Sequence, residues 1–331
     1  MNAPILRQPK DYATDQEVRW CPGCGDYAIL KAVQKTLADI QADPASTVFV
    51  SGIGCAARFP YYIASYGFHG IHGRAPALAT GIKLANPALD VWVVGGDGDM
   101  LSIGGNHLVH ALRRNVDLNI LILNNEIYGL TKGQASPTSR RGTRTPSTPG
   151  GSVDAPLSAL RLALGAGARF VARGIDTQQK VLPEILKRAH AHKGAALVEI
   201  IQNCIVYNDG AFEGFARKDV EAEAQLHLRH DEPLVYGKAQ DKGLRLAGGL
   251  RLEVTTADDP AVLKHDEKSP LLAMLLAMLE PPMPVAIGVI YDDPAEQTWE
   301  AAMRPQEAAS GPSLREVMRQ GATWTRPGGA A

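Results

Sequence analysis

Two unbroken apolar runs, Val91-Trp92-Val93-Val94 and Ile120-Leu121-Ile122-Leu123, frame the most regular part of this chain. Short runs of this kind, rich in β-branched residues and bounded by glycine or asparagine, read as strands buried on both faces. Between them, 105–113 has helical spacing, so 91–125 is expected to form one β-α-β unit. The first strand should turn sharply through Gly95-Gly96 and present Asp97 and Asp99 on either side of Gly98, while the second closes on Asn124-Asn125. Open α/β sheets bind ligands at the carboxyl ends of their strands, where these polar residues fall.

The alternation continues on both sides. A helix with Leu30, Val33, Leu37 and Ile40 on one face precedes a strand at 48–50, and a helix at 77–84 follows it. Beyond the central unit come a helix at 156–164, a strand at 169–172, a helix at 177–192 with Pro183 near its start, and a strand at 195–201. Repeated β-α units predict a doubly wound, mostly parallel sheet.

From about 216 the text changes to a polar stretch at 217–232, a strand pair around 243–254, a helix at 269–280 opened by Ser269-Pro270, and a buried strand at 285–291. We expect residues 1–16 to be a flexible arm, 17–215 to carry the chemistry, and 216–331 to form a C-terminal extension with a flexible end after about 305. The stretch from 135 to 153 has no pattern and many Pro, Ser, Thr and Gly residues. It reads either as a solvated linker or as a cationic flap carrying Arg140, Arg141 and Arg144 behind Lys132. There are no internal repeats.

Composition narrows the classes. The chain has 331 residues, and 34 basic against 35 acidic residues give a net charge of −1, so no overall field attracts nucleic acid or an anionic membrane. The first residues lack an apolar core behind a basic start, and the longest apolar run, 270–279, is too short to cross a bilayer. A cytoplasmic location is expected, and there the four cysteines would stay reduced.

The chemistry starts from Asp97 and Asn125, 28 positions apart, which is room for one crossover helix and a returning strand. A carboxylate and an amide oxygen at neighbouring strand ends suit Mg²⁺, a hard cation that shares its octahedral shell with phosphates. Glycines beside them let a ligand approach the backbone. A bare Gly-Asp-Gly also serves as a tight turn; the Asn-Asn at the end of the next strand favours the cofactor reading. The cysteines add a second theme. Cys21 and Cys24 form a CxxC before a helix, and Cys55 and Cys204 each follow a strand, so all four can converge on one point. Four thiolates hold zinc or a [4Fe–4S] cluster, and spacing alone leaves both open.

Gly96-Asp97-Gly98 followed by Asn124-Asn125 resembles the thiamine diphosphate motif, which begins at GDG and ends at NN. The flanking text WCPGCGDYAILKAV, SGIGCAARFP, HGIHGRAPALATGIKLANP and IYGLTKGQASPTS is similar to the β subunit of 2-oxoacid:ferredoxin oxidoreductases, most of all the 2-oxoglutarate type, from about 17 to about 215. The resemblance implies the thiamine diphosphate-binding (pyrophosphate-domain) fold. It implies Mg²⁺ on Asp97, Asn125 and the carbonyl of Ile127, and thiamine diphosphate against Ile53, Gly54, His72, Gly96, Asp97, Gly98, Asp99, Gly129 and Leu130. A [4Fe–4S] cluster would sit on Cys21, Cys24, Cys55 and Cys204. Arg58 would meet the distal carboxylate of 2-oxoglutarate, His72 thiamine or substrate, and Lys132 the phosphates of coenzyme A.

The implied reaction is coenzyme A-dependent oxidative decarboxylation of a 2-oxoacid, with electrons passed through the cluster to ferredoxin. The glutamate that activates thiamine would come from an α subunit, in an α2β2 assembly. The competing readings are a non-oxidative thiamine enzyme, for which cluster cysteines are superfluous, and a non-catalytic iron–sulfur or zinc scaffold in which GDGD and NN are only turns.

Overall fold

A computed structural model describes residues 6–308 and 313–320. The first half contains α1 (Asp26–Asp39), β1 (Thr47–Ser51), α2 (Phe59–Tyr62), β2 (Tyr66–His69), α3 (Ala75–Ala85), β3 (Asp90–Gly96), α4 (Asp97–Leu101), α5 (Gly105–Arg114) and β4 (Leu118–Asn124). Then follow β5 (Ile127–Tyr128), β6 (Gln134–Ala135), α6 (Ala159–Gly165), β7 (Phe170–Ile175), α7 (Leu182–Ala191) and β8 (Ala195–Ile201). The last part contains α8 (Glu213–Ala216), α9 (Glu221–Ala224), β9 (Gln225–His227), β10 (Val235–Tyr236), β11 (Lys242–Ala247), β12 (Arg251–Thr256), α10 (Pro270–Leu276), β13 (Val285–Asp292), α11 (Trp299–Ala308) and α12 (Leu314–Gln320).

The main sheet has eight strands in the order β2-β1-β3-β4-β8-β7-β13-β9. From β2 to β7 neighbouring strands run parallel; β13 lies antiparallel to β7 and parallel to β9. The side-chain period of two splits the core into two layers. Val48, Val50, Val91, Val93, Ile120 and Ile122 face α3, α5, α6 and α10. Phe49, Trp92, Val94, Leu121 and Leu123 face α1, α2 and α7. Every residue of β4 is buried. A Leu→Ala change there would cost about 2–5 kcal/mol, so the strand ends stand on a stiff support.

Three differences from the sequence reading have physical reasons. The chain does not turn at Gly95-Gly96: both remain in β3, paired with Ile122 and Leu123, and the break comes at Asp97, where α4 begins. These glycines are small for packing, since a Cβ on Gly95 would lie 2.7 Å from Met100 Cγ. The expected arm is docked over its described residues. Tyr12 is fully buried and donates to the Ala42 carbonyl at 2.7 Å, and Thr14 donates to the Tyr61 carbonyl. Helix α7 begins at Leu182, well after 177, with Pro183 in its first turn, where a missing N–H costs nothing. Ser158 and Ser269 cap α6 and α10 by accepting from Arg161 N and Leu272 N.

The 243–254 pair is an antiparallel hairpin, β11 and β12, and the 285–291 strand is β13 of the main sheet. Residues 1–5 of the expected arm, and 309–312 and 321–331 of the expected flexible end, lie outside the described residues.

Candidate active site

The carboxyl ends of β1, β3, β4 and β8 open into two adjoining cavities. The first is lined by Asp26, Ile53, Gly54, His72, Gly96, Asp97, Gly98, Asp99, Asn125, Ile127, Tyr128, Gly129 and Leu130, among others. The second is lined by Trp20, all four cysteines and Ile205–Tyr207. Cys55, Asn125, Gly129 and Gln202 belong to both walls.

At the first cavity, Asp97 starts α4 and is buried. Burial pushes its carboxyl up to about 6 despite hydrogen bonds from Ser136 and Thr138. Thr138 Oγ1 lies 2.6 Å from Asp97 Oδ2 and 3.0 Å from Asn124 Oδ1. Asn125 Oδ1 accepts from Ile127 N at 3.2 Å, so one turn sets the amide and the next carbonyl side by side. Behind it Asn124 Nδ2 donates to Glu199, which Arg173 holds at 2.7 Å. Burial also raises Glu126 to about 7, against the lowering effect of Arg140.

Asp99 does a different job. Its Oδ1 accepts from Gly73 N at 2.7 Å, from Ile53 N at 3.1 Å and from His72 Nδ1 at 2.5 Å. It thereby ties the loop after β1 to the turn before α3. A carboxylate only accepts, so Nδ1 of His72 carries a proton, on a ring that lines the cavity. Gly52 is required beside this brace, because a Cβ there would stand 2.1 Å from Asp99 Oδ2. Tyr128 covers Gly98 and donates to its carbonyl at 3.0 Å.

At the second cavity, Cys55 and Cys204 sulfurs flank Gly129, at 3.6 and 3.7 Å from where its Cβ would be. Gln202 Nε2 donates to Cys24 Sγ at 3.2 Å, and Trp20 Nε1 to the Cys55 carbonyl at 2.7 Å. Burial pushes Cys55 up to about 12 and Cys24 higher still; neighbouring Asp26 adds to each. Asn208, one turn after Cys204, donates to the Asn125 carbonyl at 2.8 Å and ties this cavity to the first.

The residues singled out from the sequence therefore fall on these two walls, with two exceptions. Arg58 is set one turn past Cys55, with Nε donating to Tyr62 Oη at 2.8 Å, and Lys132 is exposed; neither is among the lining residues. Sequence reasoning missed Asp26, Thr138, Tyr128 and Gln202. Thr138 and Tyr128 stood inside quoted motifs, and Asp26 directly follows Cys24-Gly25, so position relative to motifs was the available signal.

The irregular stretch behaves as neither alternative at its start. Ser136, Thr138 and Ser139 are buried, and Ser139 Oγ donates to the Glu126 carbonyl. Its first turn braces the site from behind, through Thr138 on Asp97.

A strand-end carboxylate and amide over a parallel sheet suit a divalent ion carrying a diphosphate, as in a thiamine diphosphate-binding protein. The sequence matches the family model for the C-terminal TPP binding domain of thiamine pyrophosphate enzymes over residues 52–200. It is 47% identical to the 2-oxoglutarate oxidoreductase subunit KorB of Mycobacterium tuberculosis, covering 97% of this chain and 90% of that one. It is 52% identical to the 2-oxoacid:ferredoxin oxidoreductase 1 subunit beta of Aeropyrum pernix, covering 93% and 90%. Among solved structures, the 2-oxoglutarate:ferredoxin oxidoreductase from Magnetococcus marinus with 2-oxoglutarate, coenzyme A and succinyl-CoA bound is similar with a TM-score of 0.77 and 33% identity over 95% of this chain and 96% of that one. This chain belongs to the β subunits of the 2-oxoacid:ferredoxin oxidoreductases.

Proposed function

We propose that this chain, paired with an α subunit, converts 2-oxoglutarate, coenzyme A and two oxidised ferredoxins into succinyl-coenzyme A, CO₂, two reduced ferredoxins and a proton. One observation carries it: the two cavities share a wall, so a group in one stands beside a group in the other. The oxygen donors of Asp97, Asn125 and Ile127 fit Mg²⁺ and a diphosphate, and the four sulfurs fit a [4Fe–4S] cluster. Among the described residues no three or more His, Cys, Asp or Glu are arranged to share one metal ion. Four thiols around one cavity are the ligand number of a [4Fe–4S] cage. Burial raises Cys24 and Cys55, so iron must draw the protons off these two thiols.

When bound, thiamine diphosphate supplies the carbon nucleophile and electron sink that a 2-oxoacid needs to lose CO₂, and the cluster takes electrons one at a time. The chain's own residues orient and screen. Asp99 fixes Ile53, Gly73 and His72 around the cavity, Thr138 steadies Asp97, and Arg58 offers a guanidinium to the distal carboxylate. Lys132 stands exposed past Leu130, where it can meet the phosphates of coenzyme A. Among the described residues the acids lining the cavity are Asp26, Asp97 and Asp99. An activating glutamate then belongs to the α subunit, in an α2β2 assembly.

We assign the cofactor and the cluster to residues 17–215, since both walls are built between 20 and 207. Residues 216–331 are a C-terminal extension. We place the enzyme in the cytoplasm, where its four cysteines would stay reduced and able to hold iron; separately, no helix of the described residues is long and apolar enough to cross a membrane.

The test is ferredoxin reduction by the αβ complex on a panel of 2-oxoacids. A brown absorbance that dithionite bleaches is required, and a colourless zinc protein would end the reading. Arg58→Leu should cut the preference for 2-oxoglutarate over pyruvate by at least about tenfold, the worth of a charge-assisted hydrogen bond; an unchanged preference removes Arg58 from recognition.

A further inference from the structure

Three carboxylates line the first cavity, and their partners differ. Asp97 has Thr138, and Asp99 has His72 and two backbone N–H groups. Asp26 is 1% exposed, and neither of its oxygens has a hydrogen-bond partner among the described residues. It stands at the start of α1 and lines the cavity together with Gly54 and Gln202. Cys24 is close enough to influence its ionisation but does not meet it with hydrogen-bond geometry.

The surroundings increase the need for positive charge. Asp176, 5% exposed, packs against Gly25, where a Cβ would lie 2.0 Å from Asp176 Oδ2, and its charge opposes that of Asp26. Gln202 Oε1 is also buried and unpartnered, while the Gln202 amide nitrogen donates to Cys24 Sγ and the Asn203 carbonyl. Among the described residues this end of the cavity therefore holds three buried oxygens, two on Asp26 and one on Gln202, that no donor meets. Buried acceptors of this kind are costly until a cation or an N–H donor arrives.

Thiamine diphosphate brings two positive charges to its site, the divalent ion at the diphosphate and the thiazolium ring. Asp97 and Asn125 provide for the first. We propose that Asp26 is the counter-charge for the second: a further cofactor-binding residue that holds the thiazolium cation from the side of the cysteines. This rests on the thiamine diphosphate reading of the cavity.

The αβ complex, freed of cofactor and supplied with Mg²⁺, separates the possibilities by calorimetric binding of two ligands. These are thiamine diphosphate and its neutral isostere 3-deazathiamine diphosphate, in which carbon replaces the charged ring nitrogen. Asp26→Asn should weaken thiamine diphosphate by about tenfold or more and change the neutral isostere by less than about threefold. Asp26→Ala should reproduce the selective loss without an amide in the cavity.

Equal changes for both ligands, or none, overturn the proposal. So does a variant that loses cluster iron while its ligand preference is unchanged, since Asp26 then serves the cysteines. Asp97→Asn should lose both ligands alike; if it binds both as well as the wild type does, the thiamine diphosphate reading falls, and the role of Asp26 with it. The cofactor-free Asp26→Asn complex should melt no lower than the wild type, because the substitution removes a buried, uncompensated charge.

Discussion

The metal-facing and sulfur-facing halves of the site are built in opposite ways. Asp97, Asn125 and Ile127 come from one β-α-β unit, and their aim is set by the ends of adjacent strands β3 and β4. The four cysteines come from three separate places: the turn before α1, the loop after β1 and the segment after β8. The first half needs only local structure to form, while the second needs the whole sheet. Where they meet, Gly129 lines both cavities and Asn208 bonds the Asn125 carbonyl, so the halves share a seam but not their donors.

Crossed substitutions test that division, and with the largest effects. Cys204→Ser should abolish the cluster absorbance and lower ferredoxin reduction more than the roughly 100-fold ceiling seen for outer-shell changes, with thiamine diphosphate affinity kept within about threefold. Asp97→Ala should do the reverse, losing the cofactor and keeping the iron. If either variant loses both groups, the halves fold as one unit and the comparison breaks.

Next in size is Thr138→Val, which removes the hydroxyl 2.6 Å from Asp97 Oδ2 without changing shape. Cofactor and Mg²⁺ affinity should fall about 10–100-fold, as expected when a ligand loses the partner that orients it. Iron content should not move. An effect on the cluster would show that the buried turn at Ser136–Ser139 supports both halves.

Gly52→Ala probes the seam. The added Cβ would stand 2.1 Å from Asp99 Oδ2, and the strain would reach Ile53 and Cys55 along the same loop. A loss of about 1–3 kcal/mol is expected, seen as a lower melting temperature together with weaker cofactor binding and partial iron loss. A change confined to one group would place the boundary on the other side of that loop.

The same division explains what the sequence shows. GDG and NN were legible because a strand end and the next strand end are fixed by apolar runs, and the residues that matter lie beside them. The convergence of Cys21, Cys24, Cys55 and Cys204 was legible only as a possibility, since nothing in a run of residues reports which loops adjoin. Strand β13 was recognisable as a buried strand, but its place beside β7, antiparallel in a sheet otherwise parallel from β2 to β7, depends on tertiary packing. Asp26 and Thr138 were hidden for a related reason. Their importance lies in being buried with a partner or without one, and a sequence does not state which donors a carboxylate will lack.

The smallest expected effect lies outside both halves and serves as their control. His265 is buried, with Nε2 donating to the Val289 carbonyl of β13 at 2.9 Å and Nδ1 without a partner. Burial lowers its pKa from the ordinary value, and the Val289 bond and Glu267 only partly offset this. Above about pH 6.5 the imidazole is neutral in the folded and unfolded chains, and its contribution to stability is complete. As the pH falls through that value, the unfolded chain takes up a proton that the folded chain refuses. Stability should then drop by up to ~1.4 kcal/mol per pH unit, until the folded-state pKa is reached. Urea unfolding at pH 7.5 and 5.5 should show this loss, and His265→Gln should flatten it while leaving cofactor affinity and iron content alone. An unchanged pH slope in the variant would move the titration to another group. A variant that lost iron or cofactor would show that the far edge of the sheet, and not only its strand ends, sets the geometry of the site.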